Sequence, residues 1–163
     1  MAIERRKSPE MVAVLDPLYV MENTAHEEAH VQEHIFERRQ HYKQMRDFFD
    51  CLNRLARCRR RKLLNRIVVL DGTPSSRFED VKTFDDIKPA VERAHETHKR
   101  MFGEYETAID SAFAKKDHKS HKILVMNQVK IDCILSVLEA VYEQADDLKT
   151  NFLLLAIKRL PKP

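Results

Sequence analysis

Three histidines of this sequence recur at helical spacing and could bind a metal ion. His26, His30 and His34 follow one another at i, i+4 and i+8, and two histidines four residues apart on a helix can hold a transition metal. Their angular positions drift away from the apolar side of the same segment. A solvated or interface surface is therefore the alternative interpretation of the three histidines.

No other motif in the chain predicts a catalytic centre. The sequence has no glycine-rich phosphate loop and no GxSxG turn, which excludes the common nucleotide-binding and hydrolase signatures. Its three cysteines lack CxxC spacing, so neither a disulfide framework nor a zinc knuckle is predicted. Metal binding is the only chemistry that the residue pattern suggests.

The segment 52–67, LNRLARCRRRKLLNRI, concentrates basic charge between leucines at helical spacing. Five basic residues occupy six consecutive positions: Arg57, Arg59, Arg60, Arg61 and Lys62. Because a helix turns by roughly 100° per residue, these side chains point in several directions and at least one faces inward or into a subunit interface. The apolar stripe of this segment skips from Ala56 to Leu63. Position 59 fills that gap, so Arg59 is the inward candidate.

An inward arginine requires a carboxylate partner or a route to water. Glu22 lies on the apolar stripe of the first predicted helix, and Asp132 lies near the middle of the fourth. Either could neutralise Arg59. Alternatively, Arg59 extends past the small Ala56 and keeps its guanidinium in solvent.

Composition predicts one all-α, cytosolic domain. The 29 basic and 26 acidic residues leave a net charge of only +3, and the chain has two glycines and six prolines in 163 residues. Long helices fit this scarcity of turn residues. We expect no membrane segment, because neither an apolar leader nor about 18 consecutive apolar residues occur. The unpaired cysteines fit a reducing compartment.

Apolar periodicity predicts four long helices and a short fifth helix within a single domain, residues 1–163. We expect helices at about 9–38, 43–71, 86–115, 119–147 and 149–159. The sequence Asp71-Gly72-Thr73-Pro74 ends the second helix, with glycine as the left-handed cap. Short joints make two antiparallel hairpins, whereas the crossover 72–85 is long enough to run the length of the bundle. One long crossover between two hairpins is the ferritin-like arrangement.

The segment LLNRIVVLDGTP resembles the end of the second helix of bacterioferritins, and DDLKTNFLLLAIKRL resembles the lead into their short fifth helix. Bacterioferritins are members of the ferritin superfamily. The resemblance implies iron storage in an oligomeric cage. It also implies Fe(II) oxidation at a di-iron site built from a glutamate on two helices and a Glu-x-x-His pair on each of the other two.

The ligand positions that the resemblance implies are degenerate in this chain. Counted back from Gly72, the first Glu-x-x-His falls on Ala56 and Arg59, which cannot bind iron. Its counterpart on the fourth helix falls near Lys130 and Cys133. The resemblance therefore implies a bundle without most of its di-iron ligands.

Glu22 on the first helix and His98 on the third are the possible ligands that remain. By the same count, Arg57 stands where the family's haem-binding methionine would be, so haem is not expected. Iron is the remaining candidate cofactor.

Three functions follow from these patterns. The first is a non-catalytic structural or assembly subunit of a homo- or hetero-oligomeric cage, partnered by itself or by a catalytically competent ferritin paralogue. The second is a ferroxidase or iron-storage protein that uses an unorthodox set of glutamate and histidine ligands. The third is a mini-ferritin that binds nucleic acid through its basic run, although abundant acidic residues and the lack of interleaved aromatic residues make nucleic acid an unexpected partner.

Overall fold

The chain folds into five helices, as the sequence predicts. The structure, a computed structural model, describes residues 7–39, 43–146 and 150–163, and within these ranges it contains no strand. The helices are α1 (Pro9–Glu37), α2 (Lys43–Val69), α3 (Ile87–Ala114), α4 (His118–Glu143) and α5 (Thr150–Arg159). The predicted fourth helix is too long by a few residues, and its predicted last residue lies outside the described ranges. No helix in the described ranges is long and apolar enough to cross a bilayer.

Two apolar clusters fill the opposite ends of the bundle. One cluster joins the start of α1 and the end of α2 to the second half of α3 and the first half of α4. The other joins the opposite ends of these four helices to α5. Helix α1 therefore runs antiparallel to α2, and α3 runs antiparallel to α4. Residues 70–86 connect the two ends, which confirms the predicted ferritin-like bundle with its long crossover.

Side chains of α1 hold the crossover through its backbone. Asp16 Oδ1 accepts a hydrogen bond from Ser75 N at 2.8 Å, and Thr24 Oγ1 accepts one from Glu79 N at 2.9 Å. Farther along the helix, Glu28 Oε1 accepts from Lys82 N at 3.0 Å. Gln32 then both accepts from Phe84 N at 2.9 Å and donates to Phe84 O at 2.6 Å. The crossover forms neither a helix nor a strand, so these polar side chains provide hydrogen-bond partners for some of its backbone N–H and C=O groups.

At the end of α2, the residue in the left-handed conformation is not the predicted one. Asp71, not Gly72, adopts the left-handed conformation, with φ of 64°. The Gly72 N–H bonds to Ile67 O at 2.9 Å and the Asp71 N–H bonds to Val68 O at 3.0 Å, which forms a Schellman cap. Gly72 is needed for space, because a Cβ atom there would lie 2.7 Å from a methyl group of Val12.

Candidate functional site

A cluster of five buried polar side chains lies inside the bundle, close to where the two apolar clusters meet. Each of the four long helices contributes to it. Its members are Glu22 from α1, Arg59 from α2, His98 and Tyr105 from α3, and Asn127 from α4, and all are at most 4% exposed. We call this set the central cluster. Its members replace apolar residues on the inward stripes of their helices, so their polar groups must find partners within the bundle.

Glu22 and Arg59 form the ionic core of the central cluster. Arg59 Nε donates to Glu22 Oε1 at 2.8 Å, and both side chains are completely buried. Tyr105 Oη donates to the same carboxylate oxygen at 2.8 Å. Asn127 Nδ2 in turn donates to Tyr105 Oη at 3.2 Å. A single carboxylate oxygen therefore accepts from α2 and α3, and the chain of hydrogen bonds extends to α4.

His98 completes the cluster as a neutral imidazole. Its Nδ1 lies 2.8 Å from Ala94 O, so Nδ1 carries the proton, and its Nε2 accepts from Arg59 Nη2 at 3.5 Å. Burial and the nearby Arg59 charge lower the pKa of His98 to about 3. The imidazole is therefore uncharged at neutral pH and adds no second positive charge beside Arg59.

The Glu22 carboxylate also raises the pKa values of Arg59 and Tyr105. Burial alone would lower the pKa of Arg59, but the Glu22 carboxylate outweighs it and raises that pKa above its usual range. Burial and then the Glu22 charge raise the pKa of Tyr105. The arrangement is therefore a guanidinium–carboxylate pair flanked by a neutral phenol and a neutral imidazole.

Of the two carboxylates predicted as partners of Arg59, Glu22 is the one that contacts it. Asp132 lies on the exposed side of α4, because its position turns away from the inward stripe of that helix. Arg59 does not extend to solvent past Ala56. Ala56 is 1% exposed and belongs to an apolar cluster, so its methyl group helps to close the site instead.

The α4 positions that the resemblance implies do not face the central cluster. Lys130 and Cys133 are half-buried and lie outside the central cluster, where they contact the C-terminal segment. Lys130 Nζ donates to Lys162 O at 2.8 Å, and Cys133 Sγ donates to Arg159 O at 3.4 Å. Asn127 occupies the inward position on α4. The count from Gly72 crosses a gapped connection, whereas the position of Asn127 on the apolar stripe of α4 could have identified it.

Of the three histidines of α1, His26 and His30 are half-buried and His34 is exposed, and none of them belongs to the central cluster. The rings of His26 and His30 stack with centroids 6.2 Å apart, and those of His30 and His34 meet edge-on at 4.6 Å. Asn53 Nδ2 lies 3.3 Å from His30 Nδ1, and Glu37 Oε2 lies 3.1 Å from His34 Nδ1. Within the described residues, no group of three or more histidine, cysteine, aspartate or glutamate side chains has a geometry that could hold a metal ion.

Comparisons with known proteins identify the architecture. No protein-family model matches the sequence, and no curated protein sequence matches it. A Rhodobacter capsulatus bacterioferritin, solved with a metal-free dinuclear site and haem iron, superposes with a TM-score of 0.83 at 18% identity over 97% of both chains. The chain has the bacterioferritin fold. A Mycobacterium tuberculosis bacterioferritin gives a TM-score of 0.82 at 16% identity over 96% of this chain and 99% of its own.

The central cluster of this bacterioferritin fold does not fit a pair of iron ions. A di-iron centre in such a bundle uses several carboxylates and two histidines from four helices. The central cluster has one carboxylate, and two donors already occupy its Oε1 atom. His98 Nε2 faces a guanidinium, which would repel a cation at that place. The residues therefore form an ion pair and leave no metal-binding set.

Proposed function

We propose that this chain is a structural or assembly subunit of a ferritin-type oligomer, in which an ion pair stands where bacterioferritins carry metal. The observation that carries the proposal is the fully buried contact between Arg59 and Glu22 at 2.8 Å. The guanidinium supplies positive charge at the bundle centre, as iron would, and it needs no loading. The carboxylate stays neutralised, and the four helices remain bridged by polar contacts.

The ion pair also argues against a ferroxidase that uses Glu22 and His98. Iron binding at these residues would have to displace Arg59, which is 0% exposed and enclosed by the bundle. Displacement would leave a guanidinium buried without its carboxylate, at a cost of several kcal/mol. Loss of iron oxidation at this site is therefore part of the proposal.

Exposed apolar side chains support the assembly role. Among the residues that the structure describes, the large apolar side chains that are more than half exposed are Phe78, Phe113, Val129 and Leu155, at 54%, 71%, 63% and 54%. They occur on the crossover, α3, α4 and α5. Exposed large apolar side chains can become buried in contacts between subunits, and closed oligomers of identical chains are the commonest assemblies. The proposal includes assembly with itself and mixed assembly with a catalytically competent ferritin.

Two measurements test the two halves of this proposal. Aerobic oxidation of Fe(II), followed by absorbance, should proceed in the presence of the protein at the rate of buffer alone. A faster rate that is lost in Glu22→Ala but kept in His26→Gln/His30→Gln/His34→Gln would identify the bundle centre as a ferroxidase and overturn the proposal. A faster rate with the opposite pattern would assign the activity to the surface histidines and overturn it equally.

Mass photometry tests assembly. The chain alone, or co-expressed with an active ferritin, should form closed oligomers of many subunits. A monomer under both conditions would contradict the assembly role. Comparing the two samples distinguishes a homo-oligomer from a mixed one.

A further inference from the structure

A groove with a volume of about 390 Å³ lies between α4 and α5. This volume falls in the range of roughly 300–1,000 Å³ that is typical of sites for small organic ligands. Four residues from Cys133 to Ala140 line it on α4, and four from Phe152 to Arg159 line it on α5. Each set recurs at i, i+3, i+4 and i+7, so one face of each helix forms a wall. No member of the central cluster is among these residues.

The two helices run antiparallel along this groove. Cys133 Sγ donates to Arg159 O at 3.4 Å, so the end of α5 lies beside the beginning of the α4 wall. Phe152, at the start of α5, therefore lies toward Ala140. The interval from Phe152 to Arg159 corresponds to roughly 10 Å along the helix axis. The groove is thus an elongated site with two distinct ends.

The two ends of the groove differ in chemistry. Toward Phe152 the walls are apolar and include Val137 and Ala140. At the other end lies Arg159, which alone is charged among the described residues that line the groove. Residues 150–163 contain no acidic residue. Within the described ranges the Arg159 side chain forms neither a hydrogen bond nor an ion pair. An apolar channel therefore ends at a cation that has no carboxylate partner.

We propose that this groove binds an amphipathic carboxylate of the fatty-acid type. The carboxylate accepts charge-assisted hydrogen bonds from the Arg159 guanidinium, whose planar N–H groups match both of its oxygens. The acyl chain lies between α4 and α5 and extends toward Phe152, where removal of its methylene groups from water stabilises the complex. An amine with the same tail would be repelled by Arg159. A single chain forms the groove, so binding does not require assembly.

Calorimetric titration of the full chain with octanoate at neutral pH tests the groove. The wild type should bind octanoate at least about tenfold more tightly than octylammonium, which has the same tail and the opposite charge. Arg159→Gln should weaken octanoate binding about fivefold or more and leave octanol binding within about twofold. The matched control, Lys158→Gln, removes the same charge from an exposed neighbouring position and should change octanoate affinity less than about twofold. Ala140→Phe fills the apolar end and should abolish binding of both octanoate and octanol.

Three results of these titrations would overturn the proposal. One is failure of the wild type to bind octanoate at millimolar concentration. Another is equal weakening of octanoate binding by Arg159→Gln and Lys158→Gln, because general charge would then be responsible. The third is equal affinity of the wild type for octanoate and octylammonium, because the guanidinium would then not select the ligand.

Two further measurements locate the ligand and test the alternative occupant, a second copy of the chain. Changes in NMR chemical shift on octanoate addition should concentrate on the methyl groups of Val137 and Leu155, which remains a test if Ala140→Phe does not fold. Shift changes spread evenly over the bundle would contradict the groove. Mass photometry with and without octanoate should give the same oligomer. Octanoate binding that occurs only as an oligomer dissociates would assign the groove to a contact between copies and overturn the proposal.

Discussion

Two buried glutamates of α1, Glu22 and Glu28, each meet an arginine, but in opposite surroundings. Glu28 lies at the edge of the bundle, where Arg93 Nη2 donates to its Oε1 at 2.7 Å with side-chain exposures of 23% and 9%. Its Oε2 accepts from Thr97 Oγ1 at 3.3 Å, so both of its oxygens have partners. Glu22 pairs with an arginine in complete burial, and its Oε2 has no partner among the described residues.

This difference in hydrogen bonding indicates what each pair contributes to the stability of the fold. The Glu28 pair joins α1, α3 and the crossover with every carboxylate oxygen satisfied, as expected of a pair that stabilises a fold. The Glu22 pair leaves Arg59 Nη1 and Asn127 Oδ1 without protein partners in the described structure as well. A buried ion pair with incomplete hydrogen bonding is not more stabilising than well-packed apolar side chains in the same place would be. The incomplete hydrogen bonding of the inner pair, Glu22 and Arg59, supports the proposal that this pair replaces metal at the bundle centre.

Breaking the inner pair should produce the largest effect. Arg59→Met leaves the Glu22 carboxylate buried without its cation and should lower the free energy of unfolding by about 3–5 kcal/mol. Glu22→Leu together with Arg59→Met removes both charges and should recover most of that loss. Urea unfolding followed by circular dichroism measures both variants.

Arg54→Met is the matched control for this comparison. Its pair with Asp50 is solvent-exposed and should be worth less than about 1 kcal/mol. If Arg59→Met were no more destabilising than Arg54→Met, the inner pair would not be a buried charge pair.

The next largest effect should be a pH dependence of stability that arises from His98 in the central cluster. His98 has a pKa of about 3 in the folded protein and near 6.5 when unfolded. Between these values the unfolded chain binds the extra proton, so stability falls as pH falls from about 6.5 toward 3. At pH 4.5 the loss due to His98 should be about 2–3 kcal/mol.

Unfolding curves of the wild type and His98→Gln between pH 7 and pH 4 isolate this contribution. The variant should lose less stability over this interval. Parallel curves for the two proteins would show that His98 is not held neutral.

Breaking the edge pair, Glu28 and Arg93, should lower the free energy of unfolding less than breaking the inner pair. Arg93→Met removes a partly exposed cation, while Lys82 N and Thr97 Oγ1 still donate to Glu28. We expect a loss of about 1–2 kcal/mol in the free energy of unfolding, measured with urea as above. A loss as large as that of Arg59→Met would remove the distinction between the two pairs.

The smallest effect concerns a crossover contact beside the edge pair. Thr24→Val keeps the shape of the side chain but leaves the Glu79 N–H without its acceptor, at a cost of about 1 kcal/mol. Thr107→Val is the matched control, because the Thr24 hydroxyl donates to Val20 O and the exposed Thr107 hydroxyl likewise donates to Gly103 O, one turn back. Amide hydrogen exchange of the crossover should accelerate in the first variant only, and equal exchange in both would contradict the role of Thr24.

The sequence predicts the bundle well because apolar periodicity and connection lengths depend on local patterns. It also predicts that Arg59 faces inward, since one position in a regular stripe was missing an apolar residue. The roles of Tyr105 and Asn127 were not predicted, because a polar residue on a stripe does not specify which helix carries its partner. The sequence did not single out Asn127 over Lys130 and Cys133, because a count across a connection of uncertain length fixes the α4 register only to within a residue or two. The hydrogen bonds of the crossover were not predictable either, because an extended segment without periodicity indicates neither its neighbours nor its register.

The central claim is that the Arg59–Glu22 pair occupies the bundle centre in place of metal. Crystals soaked with Fe(II) under anaerobic conditions, with anomalous data collected at the iron edge, test it most directly. We predict no iron peak within the central cluster and Arg59 Nε in hydrogen-bond contact with Glu22. An iron peak coordinated by Glu22 and His98, with Arg59 displaced, would contradict the account.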